Sequence, residues 1–220
     1  MAQRWAGKRL PGIDPMGLAE GLMLPIALTT TLRLTPEEFA EVCAANPDAV
    51  LELAADGSLI PMTPTGSETG SRSGELFFQI KSWARANGGW MAFDSSTGFR
   101  LPDGSVRSPD AALVALERWR ALSEEQRRGF APLCPDLVVE LASPGDSGPR
   151  GLASLRRKMA AYQANGARLG WLLIPSEQAV EVWLSWESGE EPVRLEGAPL
   201  LEGGDVFTGL AINLAEIWAK

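Results

Sequence analysis

The stretch Asp136-Leu137-Val138-Val139-Glu140-Leu141-Ala142-Ser143-Pro144 (DLVVELASP, 136–144) decides the fold. Its β-branched run is too short for a buried helix and reads as a central strand over 136–141. Strand alternation places Asp136, Val138 and Glu140 on one face and Leu137, Val139 and Leu141 on the other. Downstream, 150–165 reads as a helix closed by Asn165-Gly166, and 169–174 as a second buried strand. Strand, helix and strand in that order imply two parallel strands joined by a right-handed crossover helix.

Upstream, an apolar strand over 111–114 follows Ser108-Pro109-Asp110. Short strands at 90–93 and 98–101 precede it, with Pro102-Asp103-Gly104 as a turn. A helix over 71–86 buries Leu76, Ile80 and Trp83, and Asn87-Gly88-Gly89 ends it. Strands at 49–54 and 58–62 flank Asp56-Gly57, the positive-φ turn of a hairpin. A first helix, to about residue 45, starts with Thr35 as N-cap, Pro36 in the first turn and Glu38 in the capping-box position. Toward the C-terminus we expect an edge strand at 180–186, short strands at 192–196 and 205–208, and a last helix at 213–219. The class is α/β (α+β): a mixed central sheet flanked by helices, with an N-terminal helix and β-hairpin. Residues 1–27 lack periodicity and read as an arm, and 28–220 as a single domain.

The 220 residues contain no histidine. That excludes Ser-His-Asp and Cys-His catalysis, histidine-bound zinc and an imidazole pH switch. Acid–base work falls to carboxylates, lysine or the one tyrosine, Tyr162. Cys43 and Cys134 lack metal-type spacing and read as free thiols. No stretch approaches a transmembrane length and no leader pattern forms, so the chain reads as cytoplasmic with no membrane partner. The net charge of −8 argues against non-specific coating of nucleic acid. The acids concentrate after Glu177. Between Asp146 and Glu177 there is none, whereas Arg150, Arg156, Arg157, Lys158 and Arg168 are all basic. Such a segment is either a polyanion-facing surface or a solvated helix face.

Four residues stand out for chemistry. Pro109 forces an extended backbone before it, so Asp110 takes a defined place at a strand mouth. Glu140, deep in a buried strand, requires a partner, either a divalent cation shared with a second carboxylate or a salt bridge to a neighbouring arginine. Lys158, mid-helix after the crossover, lies beside the Leu155, Met159 and Tyr162 stripe and can snorkel toward the sheet edge. Glu52 is an acid between apolar neighbours in the hairpin. Carboxylates of this kind suit Mg²⁺ or Mn²⁺, and a lysine beside them suits an attacking water or a phosphate.

The succession Leu-Thr-Pro-Glu-Glu-Phe (34–39), Leu-Glu-Leu-Ala-Ala-Asp-Gly-Ser-Leu-Ile-Pro-Met (51–62), Ser-Pro-Asp (108–110), the central strand segment (136–144), Lys158 with Tyr162 and Gly166, and Gly-Trp-Leu-Leu-Ile-Pro (170–175) resembles the Uma-two family of bacterial endonucleases. That family belongs to the restriction-endonuclease-like, PD-(D/E)XK superfamily. The resemblance spans about residues 30–220. It implies a restriction-endonuclease-like core, a Mg²⁺ or Mn²⁺ cofactor and hydrolysis of DNA phosphodiester bonds. It assigns Asp110 and Glu140 to the motif's two acids and places the lysine at Lys158, because the motif's own lysine position is Ala142. Glu52 matches the family's further acid near the first helix, giving Asp110, Glu140 and Glu52 as metal ligands. Similar proteins often carry a histidine before the second helix, where this chain reads Thr-Gly-Ser-Glu-Thr-Gly-Ser (65–71). Only Glu68 in that segment could stand in for it.

Three functions follow as expectations. The first is a metal-dependent endonuclease in which Glu52, Asp110, Glu140 and Lys158 act on DNA. The second is a non-catalytic interaction protein on a degenerate nuclease scaffold. The third is another paired-carboxylate hydrolase, such as a glycosidase. A homodimer is a further expectation, since two-fold DNA invites a two-fold enzyme.

Overall fold

A computed structural model describes residues 32–146, 148–184 and 191–219. The expected arm at 1–27 lies outside the described residues. Helix α1 (Pro36–Ala45) opens with a complete capping box: Thr35 Oγ1 accepts the Glu38 amide, and the Glu38 side chain accepts the Thr35 amide. The hairpin strands β1 (Leu51–Leu53) and β2 (Leu59–Pro61) turn at Gly57, φ +81°. A Cβ there would stand 2.8 Å from the Leu34 carbonyl oxygen, so turn and packing both require glycine. Helix α2 (Ser67–Asn87) leads to β3 (Trp90–Asp94), β4 (Phe99–Arg100), β5 (Val106–Arg107) and β6 (Ala111–Ala115). Two short helices, α3 (Leu116–Ala121) and α4 (Glu124–Arg128), precede β7 (Leu137–Leu141). Then come α5 (Pro149–Ala164), β8 (Leu169–Ile174), β9 (Ala179–Leu184), β10 (Val193–Glu196), β11 (Leu200–Glu202), β12 (Ala211–Asn213) and α6 (Ala215–Trp218).

The main sheet has the order β10-β9-β8-β7-β6-β3. Every neighbouring pair is antiparallel except β7 with β8, the pair that α5 connects. The fold is therefore the expected mixed α/β sheet flanked by helices. Alternation in β7 divides two cores. Leu137, Val139 and Leu141 pack with Leu76 and Ile80 of α2, and Trp171 and Ile217 join them. Val138 faces the other way, onto Met159 and Tyr162 of α5. A smaller sheet, β2-β1-β5-β4, holds Leu53, Leu59 and Val106 against Phe39 of α1.

Several local expectations are corrected. Helix α2 begins at Ser67, four residues before the expected start, with Glu68 paired to Arg72 at 2.6 Å. The strand expected at the sheet edge, 180–186, corresponds to β9 up to Leu184, with 185 and 186 outside the described residues; β9 pairs on both sides, and β10 forms that edge. Its neighbours bury Glu181, which Arg156 and Arg194 neutralise. Residues 205–208 form a turn inside the β11–β12 hairpin, because Phe207 drops into the core and its amide bonds back to the Gly203 carbonyl. The helices α3 and α4 had no counterpart in the sequence reading. Cys43 and Cys134 are both free. No described helix is long and apolar enough to cross a membrane.

Candidate active site

Four elements deliver the site. The antiparallel register sets Ala111 of β6 opposite Val139 of β7, so Asp110 and Glu140 emerge at the same end of the sheet. Asp110 is half-buried, and its Oδ2 accepts the Leu141 amide at 2.7 Å. Glu140 projects from the face of β7 that α5 covers, and there it meets Lys158, with Nζ 2.8 Å from Oε1. The Tyr162 hydroxyl, one helical turn further along α5, donates to the same oxygen at 3.2 Å. The partner that the buried Glu140 required is thus an ammonium and a phenol.

Lys158 reaches from α5 to the end of the sheet. Only 9% exposed, it points inward, ion-paired also with Glu52 Oε1 at 2.8 Å and donating to the Ser108 carbonyl at 3.0 Å. Glu52 is fully occupied: its Oε2 pairs with Arg107 at 3.1 Å and its Oε1 accepts the Ser108 amide at 2.9 Å. It lies behind the lysine, and the cleft in front is lined without it. That cleft, about 680 Å³, is lined by Asp110, Glu140, Lys158 and Leu155, by the β2–α2 loop, and by the turn at Ser143–Asp146. Asp146 closes this turn by accepting from the Ser143 amide and hydroxyl. Gly151 lets the helix close on the turn, since a Cβ there would overlap the Asp146 backbone. Glu68 reaches the cleft rim while paired with Arg72.

Electrostatics follow from burial and from an excess of acids. Burial pushes the Glu140 carboxyl up to about 8, with Asp110 and Glu52 adding repulsion and Lys158 only partly opposing it. Burial likewise raises Asp110. Burial also opposes ionisation of Glu52, but Lys158, the Ser108 amide and Arg107 outweigh it and hold that carboxyl below its usual range. Lys158 loses hydration, yet Glu140 and Glu52 raise its pKa and keep it an ammonium.

The donor set fits one hard cation. Lys158 and Tyr162 use only Oε1 of Glu140, and Leu141 uses only Oδ2 of Asp110. One oxygen of each carboxylate therefore has no protein donor among the described residues, and both residues line the cleft. Two carboxylates in a polar cleft suit Mg²⁺, which keeps several waters. A cage of three protein acids is not formed among the described residues. Glu52 shares the Lys158 ammonium with Glu140, each carboxylate 2.8 Å from Nζ. The sequence reading missed Arg107, the Ser108 carbonyl and the Leu141 amide. Tyr162 was legible as the one tyrosine open to acid–base work and as part of an apolar stripe, and its i+4 spacing from Lys158 puts it on the same face.

Six mixed strands with one parallel pair, and acids at neighbouring strand ends facing a crossover-helix lysine, define a restriction-endonuclease-like α/β protein. The chain belongs to the Uma2 family, described as "Putative restriction endonuclease", whose model matches residues 36–215. Among solved structures it is similar to "a putative nuclease belonging to DUF820" from Anabaena variabilis ATCC 29413. The identity is 19% and the TM-score 0.66, with 84% of this chain and 98% of that one covered. No curated protein matches the sequence.

Proposed function

We propose that this protein is a metal-dependent endonuclease that hydrolyses DNA phosphodiester bonds. The observation that carries the reading is the buried Glu140–Lys158 pair opening onto a cleft that Asp110 also lines. Membership of a family described by nuclease activity supports it. Asp110 and Glu140 would hold Mg²⁺ or Mn²⁺ through their unshared oxygens; when bound, the cation offsets negative charge on the reacting phosphate. Lys158 contributes a fixed ammonium at the cleft wall, placed to stabilise charge developing on a phosphate oxygen. Its raised pKa favours that role over proton abstraction. Glu52 and the Ser108 carbonyl hold the ammonium in place, making Glu52 a positioning residue. Tyr162 orients Glu140 so that one oxygen remains turned from the lysine.

The test is nicking of supercoiled plasmid in Mg²⁺ or Mn²⁺, with EDTA as control. Wild type is expected to nick the plasmid, and Asp110→Asn and Glu140→Gln are expected not to. Cleavage that persists in both variants overturns the assignment. A folded wild type that binds neither cation in calorimetry and leaves DNA intact points to the non-catalytic scaffold protein.

A further inference from the structure

The basic segment of α5 separates into different fates. Lys158 is buried in the site, and Arg156 is taken by Glu181. Arg150 and Arg157 are both exposed and make no ion pair among the described residues. Seven residues apart, they stand on one face of the helix, about 10 Å apart along its axis. Exposed Ser154 lies between them, so the three form a continuous stripe. The stripe adjoins the cleft wall: Leu155 and Lys158, the next residues after Ser154 and Arg157, both line the cleft. No acid occurs from 147 to 176, so this helix carries nothing to neutralise the stripe. On a chain of net charge −8, uncompensated positive charge beside a cleft is where a polyanion gains most.

We infer that Arg150 and Arg157 form a phosphate-binding stripe that holds the DNA strand flanking the phosphate in the cleft. The spacing suits contacts to separate phosphates of one strand on the same side of the reacting position. Such contacts fix register without reading bases. The inference rests on the nuclease reading above but concerns binding, so it is separable from chemistry.

The experiment measures affinity of the full chain for a fluorescein-labelled DNA duplex by anisotropy, in EDTA to prevent cleavage, over a series of NaCl concentrations. Each phosphate contact contributes about 0.9 to the slope of log K against log salt. The Arg150→Gln/Arg157→Gln variant should therefore lower that slope by about 2 and weaken low-salt binding about tenfold or more. Arg150→Lys/Arg157→Lys should retain most of it, because charge is what the contact uses. Arg85→Gln, exposed at the far end of α2, should change nothing. Thermal unfolding of all variants should match wild type, since the replaced side chains are solvent-facing. An unchanged slope in the double glutamine variant, or an equal loss in Arg85→Gln, overturns the stripe while leaving plasmid cleavage as evidence for the nuclease. A wild type that neither binds nor cleaves DNA removes both readings.

Discussion

The Leu141 amide donates to Asp110 Oδ2 at 2.7 Å, tying the residue before β6 to the one that follows Glu140 in β7. This amide-to-carboxylate bond fixes Asp110 relative to the strand that carries Glu140. One oxygen of Asp110 serves the fold, and the other has no protein donor among the described residues.

This division separates two substitutions at Asp110. Asp110→Asn keeps an acceptor for the Leu141 amide and removes a charge that burial disfavours. It should unfold in urea at or above the wild-type midpoint while losing plasmid nicking. Asp110→Ala leaves the amide without its partner and should cost about 1–3 kcal/mol in the same titration.

Lys158 neutralises two buried glutamates at once. Lys158→Met strips Glu140 of its cation and leaves Glu52 with Arg107 alone, and should destabilise the fold by about 3–5 kcal/mol at pH 8. Adding Glu140→Gln removes the stranded charge and should recover part of the loss. Equal stability of the single and double variants would refute this account of the pair.

The raised carboxyl of Glu140 gives the site a pH dependence with a definite sign. Its folded value of about 8 lies above the ordinary 4.5 of the unfolded chain, so between them the folded chain holds a proton that the unfolded chain has released. The resulting contribution to stability is complete below 4.5 and is lost as pH rises through 8. Metal binding runs the opposite way, because the ligand must be ionised. Affinity for Mn²⁺ should climb with pH toward 8, and calorimetry in buffers of different ionisation enthalpy should show proton release.

Tyr162 supplies a hydrogen bond that favours ionised Glu140. Tyr162→Phe should shift the rising limb of Mn²⁺ affinity to higher pH and cost about 1 kcal/mol of stability. A purely structural role for the hydroxyl would lower stability and leave the pH profile in place.

Local patterns carried most of the architecture. The capping box at Thr35–Glu38, the Asp56-Gly57 turn and the alternation of 136–141 each specify a short-range conformation, and each appears in the structure. The parallel pair follows from a strand, helix and strand in succession. Two errors fell where a nonlocal partner decides. Whether β9 is an edge depends on β10 arriving beside it, and Phe207 pulls 205–208 into a turn because a distant core receives its ring.

For the site, residue types, their order in the chain and the family resemblance pointed to Asp110, Glu140, Lys158 and Glu52, because an acid buried in a strand requires a partner. Their pairing was not legible. Tertiary packing alone turned Lys158 inward, set Glu52 against it and brought Asp110 and Glu140 to the cleft, each with one oxygen that has no protein donor among the described residues. The physical reason is range: propensity and periodicity act over a few residues, whereas Glu52, Asp110, Glu140 and Lys158 meet only after three sheet registers and a crossover have been fixed.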